Sequence, residues 1–177
     1  MRTSFLVGVL VLCVSWPAIA QEAPAVEVGG GYSLVQDQDV DENFHGWVAS
    51  LGVNLTRWIG LVGEVGRNYK TLRCCDAEAD LSLHSYMGGA RVAVRRSSVV
   101  PFVQVLAGGA RLSASAFGET AGQTKFALQP GGGLDVWLGR NVGVRVGADY
   151  RRVFLEDGEG LNQFRLHAGV VLGLGRR

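Results

Sequence analysis

The chain has 177 residues, 47% of them hydrophobic and 26 of them glycine, with 17 Lys and Arg against 16 Asp and Glu for a net charge of +1. That balance supplies no basic field for nucleic acid, and glycine spread throughout disfavours long helices. The length is that of one domain able to bury a core without a disulfide framework.

The first element is a leader. Arg2 gives a positive start, Phe5 to Val14 is a short apolar run, and Ala18-Ile19-Ala20 is an A-x-A cleavage site. Residues 1–20 therefore read as a secretory signal peptide cut near Ala20, and residues 21–177 as the mature domain. The apolar run is shorter than the about 20 residues a membrane helix requires. Leu12 before Cys13 argues against a lipoprotein signal. No second apolar helical segment follows, so a mature chain placed in a membrane must cross it as strands.

Two-residue alternation then recurs eight times: Val26–Val35, His45–Leu55, Ile59–Tyr69, Leu83–Val94, Val99–Leu112, Lys125–Leu138, Val142–Phe154 and Gln163–Leu174. These lengths suit tilted strands that cross a bilayer. The connections alternate too. "TRW", "RRSS" and "GRN" are tight, whereas "QDQDVDENF", "KTLRCCDAEAD", "SASAFGETAGQT" and "LEDGEGLN" are long. Short turns at one end and long loops at the other are the habit of a transmembrane barrel, and an even strand count returns both termini to one side. The long connections carry Asp37, Asp39, Asp41, Glu42, Asp76, Glu78, Asp80, Glu119, Glu156, Asp157 and Glu159; the turns and tail carry Arg57, Arg95, Arg96, Arg140, Arg176 and Arg177. "DQDVDEN" lacks the glycine and final glutamate of an EF-hand loop. Cys74 and Cys75 are adjacent. Their Cα atoms stand about 3.8 Å apart, too close for a relaxed disulfide. A strained vicinal bridge and two free or partner-linked thiols both stay open.

Strand side chains point alternately to opposite faces. One face collects residues such as Val28, Leu51, Leu61, Val103, Val144 and Leu172. The other collects Glu27, Ser33, Ser50, Asn54, Glu64, Arg91, Gln104, Gln129, Asp135, Arg145, Asp149, Arg151, Arg165 and His167 among many glycines. Were the apolar face the core, the exterior would be a sparsely charged, glycine-rich surface unlike that of a soluble barrel. With the apolar face toward lipid, four acids meet four bases in a narrow interior, as buried charges require. An eight-stranded lumen is just wide enough for side chains to fill. Tyr32, Trp47, Tyr69, Tyr86, Phe126, Tyr150 and Phe164 fall on the apolar face at the long-loop ends, the place of an aromatic girdle.

These features resemble the small outer-membrane β-barrel domain typified by the OmpA, OmpX and Ail/Lom proteins of Gram-negative bacteria, a porin-family barrel. "VGGGYS", "NLTRWIG", "VVPFVQVLAGGA", "LQPGGGLDVWLGRNVGVRVGADYRR" and the ending "HAGVVLGLG" carry the resemblance over Val26 to Leu174. It implies an all-β, eight-stranded antiparallel up-and-down barrel, insertion by the outer-membrane assembly machinery, and a plugged lumen. Leu174 occupies the slot where family members usually end on an aromatic residue. No peptidoglycan-binding domain follows Leu174, so the anchoring role of larger members does not carry over.

For chemistry, the ionic interior is expected to be structural, with no cofactor, no metal and no enzymatic activity. A lipid A-modifying enzyme would need a Ser activated by a His at the lipid-facing rim. His84 and Ser85 are strand neighbours and face opposite sides. Arg67, Arg111 and Arg152 lie outward near the long-loop end, and they are expected either to contact lipopolysaccharide phosphates or to snorkel to water. The expected role is structural or interactive: membrane integrity, adhesion to a host or other surface partner, or loop display. The competing reading, a soluble secreted barrel around a small ligand, conflicts with the polarity of Arg145, Asp149, Arg151 and Arg165.

Overall fold

The computed structural model describes residues 23–37, 42–74, 77–116, 119–154 and 160–176. The leader and the tips at 38–41, 75–76, 117–118 and 155–159, with Cys75 and most loop carboxylates, lie outside the described residues. Eight strands follow in chain order: β1 (Pro24–Asp37), β2 (Glu42–Asn54), β3 (Ile59–Cys74), β4 (Ala77–Ala93), β5 (Val99–Ala116), β6 (Glu119–Trp137), β7 (Val142–Phe154) and β8 (Gly160–Arg176). Each pairs antiparallel with its sequence neighbours, and β8 returns to β1 to close the barrel. Closure gives each strand a partner on both sides and leaves no edge.

The wall is sheared. Paired residues lead from Val35 through Arg165, Asp149, Gly131, Gln104, Arg91 and Gly60 to Asn54. The path returns to β1 beside Val26, about ten residues from where it began. That offset tilts the strands and leaves an interior that side chains fill.

The tight turns close as expected. The amides of Trp58 and Ile59 donate to Thr56 Oγ1 at 3.2 and 3.0 Å. The Val99 amide donates to Ser97 Oγ at 3.2 Å. The long connections differ from expectation. Pairing in the β3–β4 hairpin runs out to Cys74 opposite Ala77, and in β5–β6 to Ala116 opposite Glu119. Much of "KTLRCCDAEAD" and "SASAFGETAGQT" is thus ladder rather than loop. Hydrophobic alternation marks where a wall crosses an apolar layer. Backbone pairing continues beyond that layer, where polar side chains suit both faces.

The apolar face points out: Val103 is 64% and Leu138 73% exposed. The inward face differs from the glycine-and-charge lining expected. Phe44, Leu83, Met87, Leu106 and Val153 cluster inside toward the long-hairpin end. Val100, Phe102, Trp137 and Val171 cluster inside at the tight-turn end. On β5 the buried residues from the tight-turn end are Val100, Phe102, Gln104, Leu106, Ala110 and Ser113, so the polar level at Gln104 lies between apolar ones. Inward apolar residues interrupt the alternation without breaking it, because they add to a face already read as mixed.

Barrel closure depends on a glycine pair. Gly31 of β1 faces Gly169 of β8. A Cβ on Gly31 would collide with the Ala168 carbonyl, and one on Gly169 with the Gly30 carbonyl. At Gly63, by contrast, a Cβ would meet nothing within 4 Å. Gly169→Ala is expected to lower the urea midpoint of the folded barrel, with an overpacking cost of about 1–3 kcal/mol, whereas Gly63→Ala leaves it unchanged. Equal midpoints for the two variants would contradict the close approach at the seam.

Candidate functional site

The inward polar residues form one connected belt. Glu27 of β1 receives Asn54 Nδ2 at 2.8 Å and the guanidiniums of Arg91 at 3.3 Å, Arg95 at 2.7 Å and Arg145 at 2.9 Å. Arg145 also grips Asp135, its register partner across β6–β7, through Nε at 2.6 Å and Nη2 at 2.7 Å. Nearer the long hairpins, Arg165 holds Glu64 at 2.8 Å and Asp149 at 2.6 Å. Two glutamines join the parts. Gln104 accepts from Arg91 Nη2 at 2.8 Å and donates to Asp149 at 3.2 Å. Gln129 donates to Glu64 at 3.3 Å and accepts from Arg151 Nε at 2.8 Å.

Local sequence explains the placement. Every strand-borne member occupies an inward position of the two-residue period, and Arg165, Asp149, Gln104, Arg91 and Asn54 lie on the single ladder path described above; Arg95 reaches in from beyond the end of β4. The ring of Phe102 lies 4.5 Å from the Arg91 guanidinium and 5.1 Å from that of Arg145. This stacking fixes both cations over one apolar surface. Arg165 and Asp149 are each 1% exposed. In such surroundings a carboxylate and guanidinium interact far more strongly than in water.

The structure redistributes the charges that the sequence suggests. Arg95, expected in a solvated turn, enters the lumen with its side chain 5% exposed and pairs with Glu27. Arg151, expected to pair with an acid, instead hydrogen-bonds Gln129, and its two terminal nitrogens meet no acceptor among the described residues. Asn54, Gln104 and Gln129 were legible only as inward polar positions, since linking across a barrel depends on register between distant strands. His167, inward as expected, lies 3.1 Å from Asp149, off the line of a hydrogen bond. A cavity of about 20 Å³ touches Ser50, Glu64, Arg91, Arg145 and His167. It has room for about one water.

Outside, the seven aromatics are all outward and exposed. Tyr32 pairs with Trp47, Tyr150 pairs with Phe164, and Tyr86 and Phe126 flank Gly109. Tyr69 faces His45, whose Nδ1 the Tyr32 hydroxyl meets. Phe154, which the sequence reading left out of this set, stacks on Phe126 with centroids 5.8 Å apart. Of the three outward arginines, Arg67 and Arg111 flank His84 on adjacent strands. Arg152 stands apart on β7, 5.7 Å from the Phe154 ring. Ser85 is buried while His84 is half-buried on the opposite face, so the two do not form a Ser–His pair. No group of metal-ligating side chains occurs among the described residues.

Removing one partner from a buried pair leaves an uncompensated charge. Glu27→Gln is therefore expected to cost about 3–5 kcal/mol of unfolding free energy. Arg151→Met removes a cation with no carboxylate partner among the described residues but leaves the buried Gln129 Oε1 without its donor, so it is expected to cost less, about 1–3 kcal/mol. Urea titration in detergent micelles, read by tryptophan fluorescence, separates the two. A larger loss from Arg151→Met would contradict the pairing described here.

Residues 5–172 match the family described as outer membrane protein beta-barrel domain. No curated protein matches the sequence significantly. Among solved structures, the fold is similar to that of Neisserial surface protein A, at TM-score 0.67 and 16% identity over 84% of this chain and 96% of that one. It is similar to the N-terminal barrel of Pseudomonas aeruginosa OprF, at TM-score 0.56 and 16% identity over 85% and 99%. It is also similar to the Yersinia pestis attachment invasion locus protein Ail in complex with a heparin analogue, at TM-score 0.55 and 19% identity over 85% and 99%. With its closed, apolar-outside wall and a family match over nearly its whole length, the chain belongs to the outer membrane β-barrel domain family.

Proposed function

We propose that this chain is a non-enzymatic outer-membrane barrel with a closed lumen, whose role is structural and surface-interactive. One observation carries the reading: a lipid-compatible exterior encloses an ionic belt with apolar residues above and below it. Exposed large hydrophobic side chains cover the outer wall. A soluble protein rarely exposes apolar patches beyond a few hundred Å². A secreted soluble carrier would need the opposite arrangement.

The interior argues against a diffusion pore. Phe102 and Trp137 fill the tight-turn end, and Phe44, Leu83 and Leu106 fill the other. A hydrated ion would have to displace these side chains and part the ion pairs between them. The interior equally supports a structural role for the belt. No Ser–His pair or metal set stands at the rim among the described residues, and the reading needs no cofactor.

The surface-interactive part of the role falls to one side of the barrel. The β3–β4 and β5–β6 ladders continue to Cys74 opposite Ala77 and to Ala116 opposite Glu119. Their hairpins raise a paired wall beyond the apolar zone, a platform for adhesion or display. Ail, named for attachment and invasion, was solved with a heparin analogue, which favours this part of the reading for a similar barrel. Outer-membrane lipid and the assembly machinery are its other partners.

Expressed with its leader in a Gram-negative host, the protein is expected in the detergent-extracted outer-membrane fraction, with gel mobility that changes on heating. Reconstituted into planar bilayers, it is expected to give no stepwise conductance. Recovery as a detergent-free soluble protein would refute membrane residence, and stable single-channel steps would refute the closed lumen.

A further inference from the structure

The outer wall carries a second feature. Arg67 of β3 is the register partner of His84 of β4, and His84 is the register partner of Arg111 of β5. All three occupy outward positions. Adjacent strands are about 4.8 Å apart, so two guanidiniums and an imidazole leave the wall side by side. Both arginines are exposed. Among the described residues neither has a carboxylate partner. Trp47 faces Arg67 on one flank, and Thr124 faces Arg111 on the other.

One outward step toward the tight turns, about 7 Å along the strands, Val65 faces Tyr86. These two border a depression of about 670 Å³ whose wall includes Val28, Ala49, Leu51 and Gly63. The depression is on the outside. The side chains of Glu64 and Met87, which also border it, are buried in the lumen and leave no such volume there. Gly63 opens the floor, since no heavy atom stands within 4 Å of where its Cβ would be. An apolar slot thus ends beneath Arg67 and His84, at the level of Val65 and Tyr86, with Arg111 one strand further along the same row.

We propose that this face binds the phosphorylated lipid anchor of lipopolysaccharide, with an acyl chain in the depression and phosphate oxygens on Arg67, His84 and Arg111. The inference rests on the outer-membrane reading given above. Guanidinium is the side chain best matched to phosphate, through paired charge-assisted hydrogen bonds. The two arginines are two strand spacings apart, about 10 Å. That span fits a head group with more than one phosphate better than a single phosphodiester. Arg152 is excluded from the site because it stands beside Leu128 and Asn162 on the register of β7.

The test uses the full barrel in detergent micelles and native mass spectrometry, with bisphosphorylated lipid A, monophosphorylated lipid A and phosphatidylglycerol as probes. Bisphosphorylated lipid A is expected to bind the unmutated protein and Arg152→Gln alike. It is expected to bind Arg67→Gln/Arg111→Gln about tenfold or more weakly, the effect of losing charge-assisted hydrogen bonds. Gly63→Leu, which fills the slot without touching the cations, is expected to weaken binding of all three lipids. Unchanged binding by the double variant, unchanged binding by Gly63→Leu, or equal retention of phosphatidylglycerol by the unmutated protein would each overturn the proposal. Heat-dependent gel mobility certifies the fold of every variant. An unmutated chain that fails to insert into vesicles would sink the outer-membrane reading, whereas an inserted barrel without a lipid A adduct sinks this inference alone.

Discussion

Backbone hydrogen bonding is the constraint on which the rest of the structure depends. In hydrocarbon, an unpaired amide or carbonyl has no water to turn to, so a strand-built wall must close on itself. Here β8 closes on β1. Once eight strands close, every second side chain is committed to an interior only as wide as side chains can fill. The lumen therefore follows from the ladder. Whatever the sequence places at inward positions must pack or pair with other inward residues, as the near-complete burial of Arg151, Arg165 and Gln129 illustrates.

The belt meets that demand. Glu27 on β1 is held by Arg145 on β7 and Arg91 on β4, and Arg165 on β8 reaches Glu64 on β3. These contacts span the barrel, so they select its register as well as its stability. A slip of one residue along any strand would turn its inward charges to lipid. A slip of two would preserve the faces but separate the partners. Ion pairs of this sort add little net stability over well-packed apolar residues. Their value here lies in the cost of every misregistered alternative, since an unpaired guanidinium in an apolar interior is far more expensive than a paired one. The apolar residues above and below the belt exclude water and raise that cost. The Phe102 ring, stacked against both Arg91 and Arg145, links the apolar level to the ionic one.

Much of this was legible in the sequence, and for physical reasons. "NVGVRVGADYRR" already separates Val142, Val144, Val146 and Tyr150 from Arg145, Asp149 and Arg151, and β7 places those two sets outside and inside. Strand existence, order and facing depend on a local two-residue period, which the sequence carries directly. Strand ends were less legible. Beyond the apolar zone the wall no longer needs greasy residues outside, so the pattern fades while the ladder runs on to Cys74 and Ala116. The pairing of charges was least legible. Arg95 lies in sequence beside a tight turn, yet its long side chain folds back to Glu27, 68 residues away in the chain. Arg151 sits on the inward face as read, but its partner is an amide. Which inward acid meets which inward base is a property of shear, and no local window contains it. The inward Phe44, Leu83 and Leu106 were missed for a related reason. An apolar residue on a mixed face carries no sign of which side it serves.

Shear also organises the outer surface. Arg67, His84 and Arg111 are separated by 17 and 27 positions in sequence and become neighbours only through the β3–β4 and β4–β5 registers. The β4–β5 register is also the one that brings Arg91 beside Gln104 inside the barrel. Inside and outside are therefore not independent designs. The pairing that aligns Arg91 with Gln104 in the lumen aligns His84 with Arg111 on the wall, seven residues along the same two strands. A barrel that locks its register by internal ion pairs thereby fixes the spacing of whatever its lipid-facing side chains present, so a rigid core is the means by which a featureless greasy cylinder can hold a patterned exterior.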